Sequence, residues 1–127
     1  MTAGIIDTTV IIHIFRKNSA ARVWVDALET RLSVTTVTWL EVMYGVPSKA
    51  GQAQCKAILS QFDLVYLTQS DQEWAMHQME HYRLSHGVGM NDCLIAAVSY
   101  RLQQPLYTHN LKDMRVLLGD TLPQKPY

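Results

Sequence analysis

Four carboxylates in this sequence stand where a strand or loop is expected to give way to a helix. Asp7 follows a short apolar run, and Glu41 lies about one turn into the segment after a β-branched run. Asp92 opens an apolar helical stretch, and Asp113 follows another short strand by a few residues. In an open parallel sheet such junctions gather at the carboxyl ends of the strands, where ligands bind. The four acids are therefore predicted to lie together.

Carboxylates that converge in this way repel one another. At about 4 Å and an effective dielectric near 20, each like-charge pair costs about 4 kcal/mol, so the group requires protonation or a cation. A ligand set of carboxylates, without cysteine or an obligatory histidine, suits Mg²⁺ or Mn²⁺ better than zinc. Asn110 could add a neutral ligand or hold a water, and Thr8 and Thr108 could supply supporting hydrogen bonds. The pattern predicts a divalent-metal site.

The chain around these acids alternates between strand and helix patterns. That alternation indicates βαβ units, a mainly parallel sheet and an α/β fold. Thr38 is the expected N-cap of the third helix, Ser70 that of the longest helix, and Asn91 or Asp92 the start of the next one. Strands are predicted over residues 3–7, 31–36, 62–67 and 105–108, and helices over 8–16, 19–28, 39–44, 48–60, 71–85, 92–103 and 111–118.

Composition limits the class of protein. A chain of 127 residues with 48% hydrophobic side chains predicts one folded domain over residues 1–127. The charge is balanced, 11 basic against 11 acidic residues, so a nucleic-acid partner would need a local basic patch. Two sets of residues could form one, namely Arg16, Lys17 and Arg22, or Arg83 and Arg101. Cys55 and Cys93 fall in helical patterns and are predicted to be buried free thiols.

The start of the chain has no basic leader followed by a long apolar run, so no signal peptide is predicted. No stretch approaches the roughly 20 apolar residues of a membrane span. We therefore expect a cytoplasmic protein that does not enter a membrane.

Taken together, four motifs resemble PIN-domain proteins of the VapC toxin type over nearly the whole chain. The motifs occur in order at Ile5–Val10, Val37–Gly45, Asn91–Ala97 and Leu106–Asp113. The resemblance implies a three-layer fold with a central, mainly parallel sheet of four or five strands. It also implies an endoribonuclease dependent on Mg²⁺ or Mn²⁺, the toxin of a toxin–antitoxin pair. Such a toxin would act on RNA, form a homodimer and be silenced by a VapB-like antitoxin.

By this resemblance, Asp7, Glu41 and Asp92 take three acidic metal positions. The fourth lies within residues 108–113, where Asp113 is the preferred ligand and Asn110 the alternative. The sequence departs from the family at Thr9, where Asn or Ser is usual, and after Asp113, where Met114 replaces an aromatic residue. The loop before Asp92 also lacks the usual proline.

Each acid also has a simpler interpretation. Asp7 or Asp92 alone could be a helix N-cap, and Asp113 could be a solvated helical residue. Glu41 is harder to explain in this way, because it lies among apolar neighbours and an unpaired buried carboxylate is costly.

Three other hypotheses come from different classes. His77, Glu80 and His81 have the spacing of an inverted zinc-protease helix, although the flanking residues indicate a solvated face. The departures at Thr9 and Met114 allow a catalytically inactive PIN-like module that binds RNA or protein. A receiver-like signalling domain would need a lysine at the end of the last strand, where the sequence instead has His109.

Overall fold

The computed structural model describes residues 3–127 of the chain. Met1 and Thr2 lie outside the described residues. The prediction that the chain has no signal peptide concerns these residues in part. The described part contains five strands, namely β1 Ile5–Ile6, β2 Ser33–Thr35, β3 Asp63–Val65, β4 Leu106–Tyr107 and β5 Pro123–Gln124. They form one sheet in the order β3-β2-β1-β4-β5, and every pairing is parallel. The predicted mainly parallel α/β sheet is confirmed.

Helices follow the strands and cover both faces of this sheet. They are α1 Thr8–Phe15, α2 Ser19–Asp26, α3 Thr36–Tyr44, α4 Lys49–Leu59, α5 Gln69–His86, α6 Met90–Leu102 and α7 Leu111–Leu118. Successive strand side chains point to opposite faces. Ile6 accordingly packs in the core beneath α1, α2 and α4, whereas Ile5 packs in the core beneath α5, α6 and α7. The result is the predicted three-layer arrangement.

The strand order excludes the receiver-like hypothesis. Receiver domains order their strands 2-1-3-4-5, with β1 next to β3. In this protein β1 lies at the centre of the sheet and pairs with β2 and β4. Its carboxyl end therefore meets the carboxyl ends of both neighbours, and this is where the predicted site residues begin.

Two predicted helix caps were wrong. Helix α3 begins at Thr36 and is capped by Thr35, whose side-chain oxygen accepts from the backbone N–H of Thr38 at 3.2 Å. Helix α5 is capped by Thr68 rather than Ser70, and Asp71 completes a capping box by accepting from the Thr68 N–H. In both places a threonine nearer the strand was available, and its hydroxyl reaches the third helical N–H.

Helices α5 and α6 form a pair joined by a short turn. Gly87 ends α5 with φ of +69°, a left-handed conformation that favours glycine. Helix α6 then begins at Met90, and its N-cap, Gly89, provides no side-chain bond. Asp92 is therefore not a cap, and the prediction that Asn91 or Asp92 starts this helix was wrong.

An ion pair between a buried acid and a partly exposed arginine joins the same two helices. Arg101 donates to both oxygens of Asp71 at 2.8 and 3.0 Å, and Asp71 is only 2% exposed. Burial raises the pKa of Asp71, but the bonds and charge of Arg101, with the Thr68 bonds, outweigh it and lower the pKa overall. The Arg101 side chain is partly exposed, but its guanidinium is bound by Asp71, which weakens the suggestion that it forms a basic patch with Arg83.

Cys55 and Cys93 are buried free thiols, as predicted. Burial, followed by the charges of Asp92 and Asp113, raises the pKa of Cys93, so its thiol stays protonated and packs as an apolar group. No helix among residues 3–127 combines the length and the apolar character that crossing a bilayer requires.

Candidate active site

The structure places all four predicted carboxylates at the carboxyl ends of the strands. Asp7 directly follows β1, and Glu41 lies on α3, which follows β2. Asp92 is in the first turn of α6, and Asp113 is in the first turn of α7, after β4. Asp7 is 2% exposed and the other three are partly buried.

Asp7 is both a helix cap and a member of this group. Its Oδ1 accepts the backbone N–H of Thr8 at 2.8 Å, which confirms the capping interpretation. Its Oδ2 accepts the Thr108 hydroxyl at 2.7 Å, and the Thr9 hydroxyl lies 3.4 Å away. Burial raises the pKa of Asp7, and the nearby charge of Glu41 adds to this, against the lowering effect of the hydrogen bonds. The role of Asp7 as a helix cap therefore does not account for its buried negative charge, which no cation neutralises among the described residues.

Thr8 connects the first helix to Glu41. Its hydroxyl donates to Glu41 Oε1 at 2.7 Å and lies 3.0 Å from the hydroxyl of Thr38. Thr38, fully buried, was misassigned as a cap by the sequence analysis. Its position three residues before Glu41, on the same helix face, was the available signal.

Asn110 holds the other two acids. Its Nδ2 donates to Asp92 Oδ2 at 2.8 Å and lies 3.3 Å from Asp113 Oδ2. Carboxylates only accept hydrogen bonds, so the amide nitrogen is the group that faces them. The backbone N–H of Asn110 donates to the Thr108 hydroxyl at 2.9 Å. Thr108 and Asn110 therefore connect Asp7 to Asp92 and Asp113 through a short chain of hydrogen bonds.

The four acids also interact through their charges. Burial raises the pKa of Asp92 to about 6, and the charges of Asp7, Asp113 and Glu41 contribute, whereas the Asn110 bond lowers it. The ion pairs found over residues 3–127 all lie elsewhere, at Arg22–Asp26, Arg31–Asp63 and Arg101–Asp71. The site is thus a region of uncompensated negative charge.

The carboxylates do not, however, form the tight acidic cluster that was predicted. In the part of the chain that the structure describes, no three His, Cys, Asp or Glu side chains are grouped closely enough to hold a metal ion. Like charges at short range repel, and each carboxylate instead takes hydrogen bonds from Thr8, Thr108 or Asn110. The same finding contradicts the zinc hypothesis, because His77, Glu80 and His81 lie exposed on α5 and form no such group among residues 3–127.

The donor set nevertheless suits a hard divalent cation. It consists of carboxylate oxygens, the ligands that Mg²⁺ and Mn²⁺ prefer. Burial is the main cause of the raised pKa of Asp92, and the charges of Asp7, Asp113 and Glu41, which a cation would offset, add to it. An open groove of about 700 Å³ beside Glu41 gives access, with Leu40 62% and Tyr44 94% exposed along it.

The structure also contains a cluster of aromatic side chains that was not predicted from the sequence. The aromatic cluster consists of His13 on α1, His109 between Thr108 and Asn110, and Tyr127 after β5. His13 Nδ1 lies 2.7 Å from the Tyr127 hydroxyl, and the His109 ring lies 4.9 Å from His13 and 4.6 Å from Tyr127. Burial, then the charges of His13 and Lys125, lower the pKa of His109, so its ring packs in the neutral form.

Residues 5–115 match the PIN domain family, so the chain belongs to it. The fold is similar to that of a toxin–antitoxin complex from Klebsiella pneumoniae, with a TM-score of 0.81, 23% identity and 98% of both chains covered. It is also similar to VapBC2 from Rickettsia felis bound to a promoter DNA fragment (TM-score 0.80, 17% identity, 97% of this chain and 98% of that one). DNA-bound VapBC from Salmonella typhimurium gives a TM-score of 0.80 at 20% identity, with both chains fully covered. No protein of curated function matches the sequence significantly.

Proposed function

We propose that this protein is a metal-dependent endoribonuclease, the toxin of a type II toxin–antitoxin pair, acting in the cytoplasm. Membership of the PIN domain family supports the nuclease part, since such domains are generally nucleases. The toxin part is supported by the similar structures, which are described as toxin–antitoxin or VapBC complexes. The observation that carries the proposal is the placement of four carboxylates, none paired with a cation within residues 3–127, at one edge of the sheet.

Asp7, Glu41, Asp92 and Asp113 are the proposed metal ligands. A Mg²⁺ or Mn²⁺ ion held there would act as a Lewis acid and neutralise charge on the phosphodiester being hydrolysed. Asn110 donates to Asp92 and Asp113, so we assign it a supporting role and keep Asp113 as the fourth ligand.

The surrounding hydroxyls and amide prepare the carboxylates for this role. Thr108 orients Asp7, and Thr8 orients Glu41, each through a hydrogen bond of 2.7 Å. Donors of this kind fix ligand direction in metal sites. The departures from the family do not disturb this arrangement: Thr9 still places a hydroxyl near Asp7, and Met114 is fully buried in the core.

The test is cleavage of total RNA in Mg²⁺ or Mn²⁺, with and without EDTA. We expect EDTA to stop cleavage, and Asp92→Asn to reduce it by about 100-fold or more, since the ion loses a charged ligand. Asp120→Asn, an exposed acid outside the site, is the matched control and should cleave as the wild type does. Undiminished cleavage by a folded Asp92→Asn protein would contradict the proposal.

The proposed partners are a VapB-like antitoxin and a second copy of the chain. An antitoxin segment lying in the groove beside Glu41 would cover the exposed Leu40 and Tyr44 side chains. Expression of the chain alone should arrest growth, and co-expression with the neighbouring reading frame should restore it. Light scattering of the purified protein and complex would measure the number of copies, for which we expect a homodimer.

A second candidate is a PIN-like module that binds RNA or protein without cleaving. The separation of the carboxylates, none of which is grouped in threes within the described residues, favours it. This alternative predicts a gel shift with RNA or antitoxin and no metal-dependent cleavage. A Mn²⁺ titration followed by electron paramagnetic resonance distinguishes the two, because only the nuclease should bind the ion at the acidic site.

A further inference from the structure

The aromatic cluster of His13, His109 and Tyr127 lies directly behind the residues that hold the carboxylates. His109 is the residue between Thr108 and Asn110, so it shares peptide bonds with both. Thr108 donates to Asp7, and Asn110 donates to Asp92. Any displacement of the His109 backbone therefore moves the donors of two proposed ligands at once.

The His109 side chain is held by packing rather than by hydrogen bonds. Its Nε2 is buried and has no hydrogen-bond partner among the described residues. The edge-on contact with Tyr127, at 4.6 Å between ring centres, and the tilted contact with His13, at 4.9 Å, fix the ring. The ring contacts therefore add to two backbone bonds that hold this loop: the N–H of Thr108 donates to the Gln124 carbonyl at 2.9 Å, and the N–H of His109 donates to the Thr9 hydroxyl at 3.4 Å.

Tyr127 in turn is fixed at two points. Its hydroxyl lies 2.7 Å from His13 Nδ1, and its ring is 6.2 Å from that of Trp24 on α2. The strand β5, which precedes it, pairs with β4, the strand that leads into Thr108. The chain after β5 thus returns to the same loop that β4 enters, and the aromatic cluster closes the gap between them.

We propose that Tyr127 is a positioning residue for the metal site, acting through His109 on Thr108 and Asn110. This inference rests on the proposed function for its consequence in catalysis. Loss of the Tyr127 ring removes the edge contact that holds His109, and the loop then samples orientations in which its donors miss the carboxylates. Changes to groups that orient metal ligands reduce metal affinity or activity by about 10-fold or more, and this is the effect expected for Tyr127→Ala.

The experiment compares Tyr127→Ala, Tyr127→Phe and the control Tyr100→Ala. Tyr100 also stacks on an aromatic ring, that of Trp74 at 5.1 Å, but lies near the end of α6 away from Asp92. We expect Tyr127→Ala to weaken Mn²⁺ binding and lower kcat by about 10-fold with an unchanged KM for RNA. Tyr127→Phe keeps the ring and should retain most of the Mn²⁺ affinity and of kcat. Tyr100→Ala should leave the Mn²⁺ affinity and kcat unchanged.

Amide hydrogen exchange provides a readout that does not depend on activity. The N–H of Asn110, which donates to Thr108, should lose protection in Tyr127→Ala, whereas the N–H of Cys93, which donates to Gly89, should not. Unchanged Asn110 protection in a folded Tyr127→Ala protein overturns the inference. If that variant does not fold, unaltered Mn²⁺ affinity in Tyr127→Leu, which loses the edge contact with His109 but keeps an apolar side chain, overturns it instead. A wild-type protein that neither binds Mn²⁺ nor cleaves RNA contradicts the proposed function, while exchange at Asn110 still tests the positioning role.

Discussion

Asp7 and Asp71 are equally buried, each 2% exposed, and each accepts a backbone N–H at the start of a helix. Their electrostatic surroundings are opposite. Asp71 faces the guanidinium of Arg101, which lowers its pKa, whereas burial and then the charge of Glu41 raise the pKa of Asp7, which has no cationic partner within residues 3–127. A buried acid with a paired cation is explained by the fold alone. A buried acid beside other acids requires an explanation from outside the fold.

The largest expected effect comes from exchanging each of these acids for its amide. Asp7→Asn should lower the kcat/KM for RNA cleavage by about 100- to 1,000-fold, because a ligand charge is lost. Asp71→Asn is the matched change and should leave kcat/KM within about threefold. It should instead lower the free energy of unfolding by about 2 kcal/mol, because Arg101 loses a charged partner. Equal losses of activity in the two variants, measured beside urea unfolding, would end the distinction between a structural and a functional acid.

The second largest expected effect is a change in the stability of the metal-free protein with pH. Asp92 has a folded pKa of about 6 against 3.8 for the free side chain, so between these values the folded state binds more protons than the unfolded state. Stability from this group is therefore lost as pH rises from about 4 to 7, by about 3 kcal/mol at most. For Asp71 the sign is reversed, and its contribution is lost as pH falls through its lowered pKa.

Urea unfolding in EDTA, from below pH 4 to about pH 7, measures the difference. Relative to the wild type, Asp92→Asn should become progressively more stable as pH rises, and Asp71→Asn progressively less stable as pH rises from below 4. If Asp92→Asn tracks the wild type at every pH, burial and the neighbouring acids do not raise the pKa of Asp92.

The smallest effect tests the hydroxyl that joins the two halves of the site. Thr108→Val removes the donor to Asp7 and the acceptor for Asn110 with little change of shape, and should weaken Mn²⁺ binding by about 10-fold. Thr108→Ser keeps the hydroxyl and should bind Mn²⁺ almost as the wild type does. Because Thr108 is fully buried, both variants need a check of folding by circular dichroism. Identical Mn²⁺ affinities for Val and Ser would remove Thr108 from the supporting set.

The order of the elements, the sheet and the position of each acid at a strand–helix junction were predictable because they follow from local periodicity, whereas the predicted close cluster of the acids was wrong. Helix α7 has the predicted bounds, Leu111–Leu118. The caps at Thr35 and Thr68 were not predicted because each has a neighbouring hydroxyl residue that could also cap the helix. Which of the two residues becomes the N-cap depends on where the preceding segment ends. Local patterns also left β5 undefined, since Pro123 is tolerated there only because the strand lies at the edge of the sheet.

The spatial details of the site were less accessible. Contacts between Thr108 and Asp7 span 101 positions, and those between His13 and Tyr127 span 114, so no local pattern encodes them. The distance between the carboxylates depends on which hydrogen-bond donors each carboxylate oxygen accepts from. The side-chain amide of Asn110 donates a hydrogen bond to Asp92 and lies near Asp113. The spacing of these residues in the sequence does not predict this bridging contact.

The double use of Asp7, as helix cap and as proposed ligand, affects how related sequences are compared. A descendant that had abandoned chemistry would still profit from an acid at that position, because α1 would still need its cap. Asp92 caps nothing and raises the cost of folding, so genetic drift would discard it early. Among homologues, retention of Asp92 is therefore the better marker of a working nuclease, and retention of Asp7 alone says little.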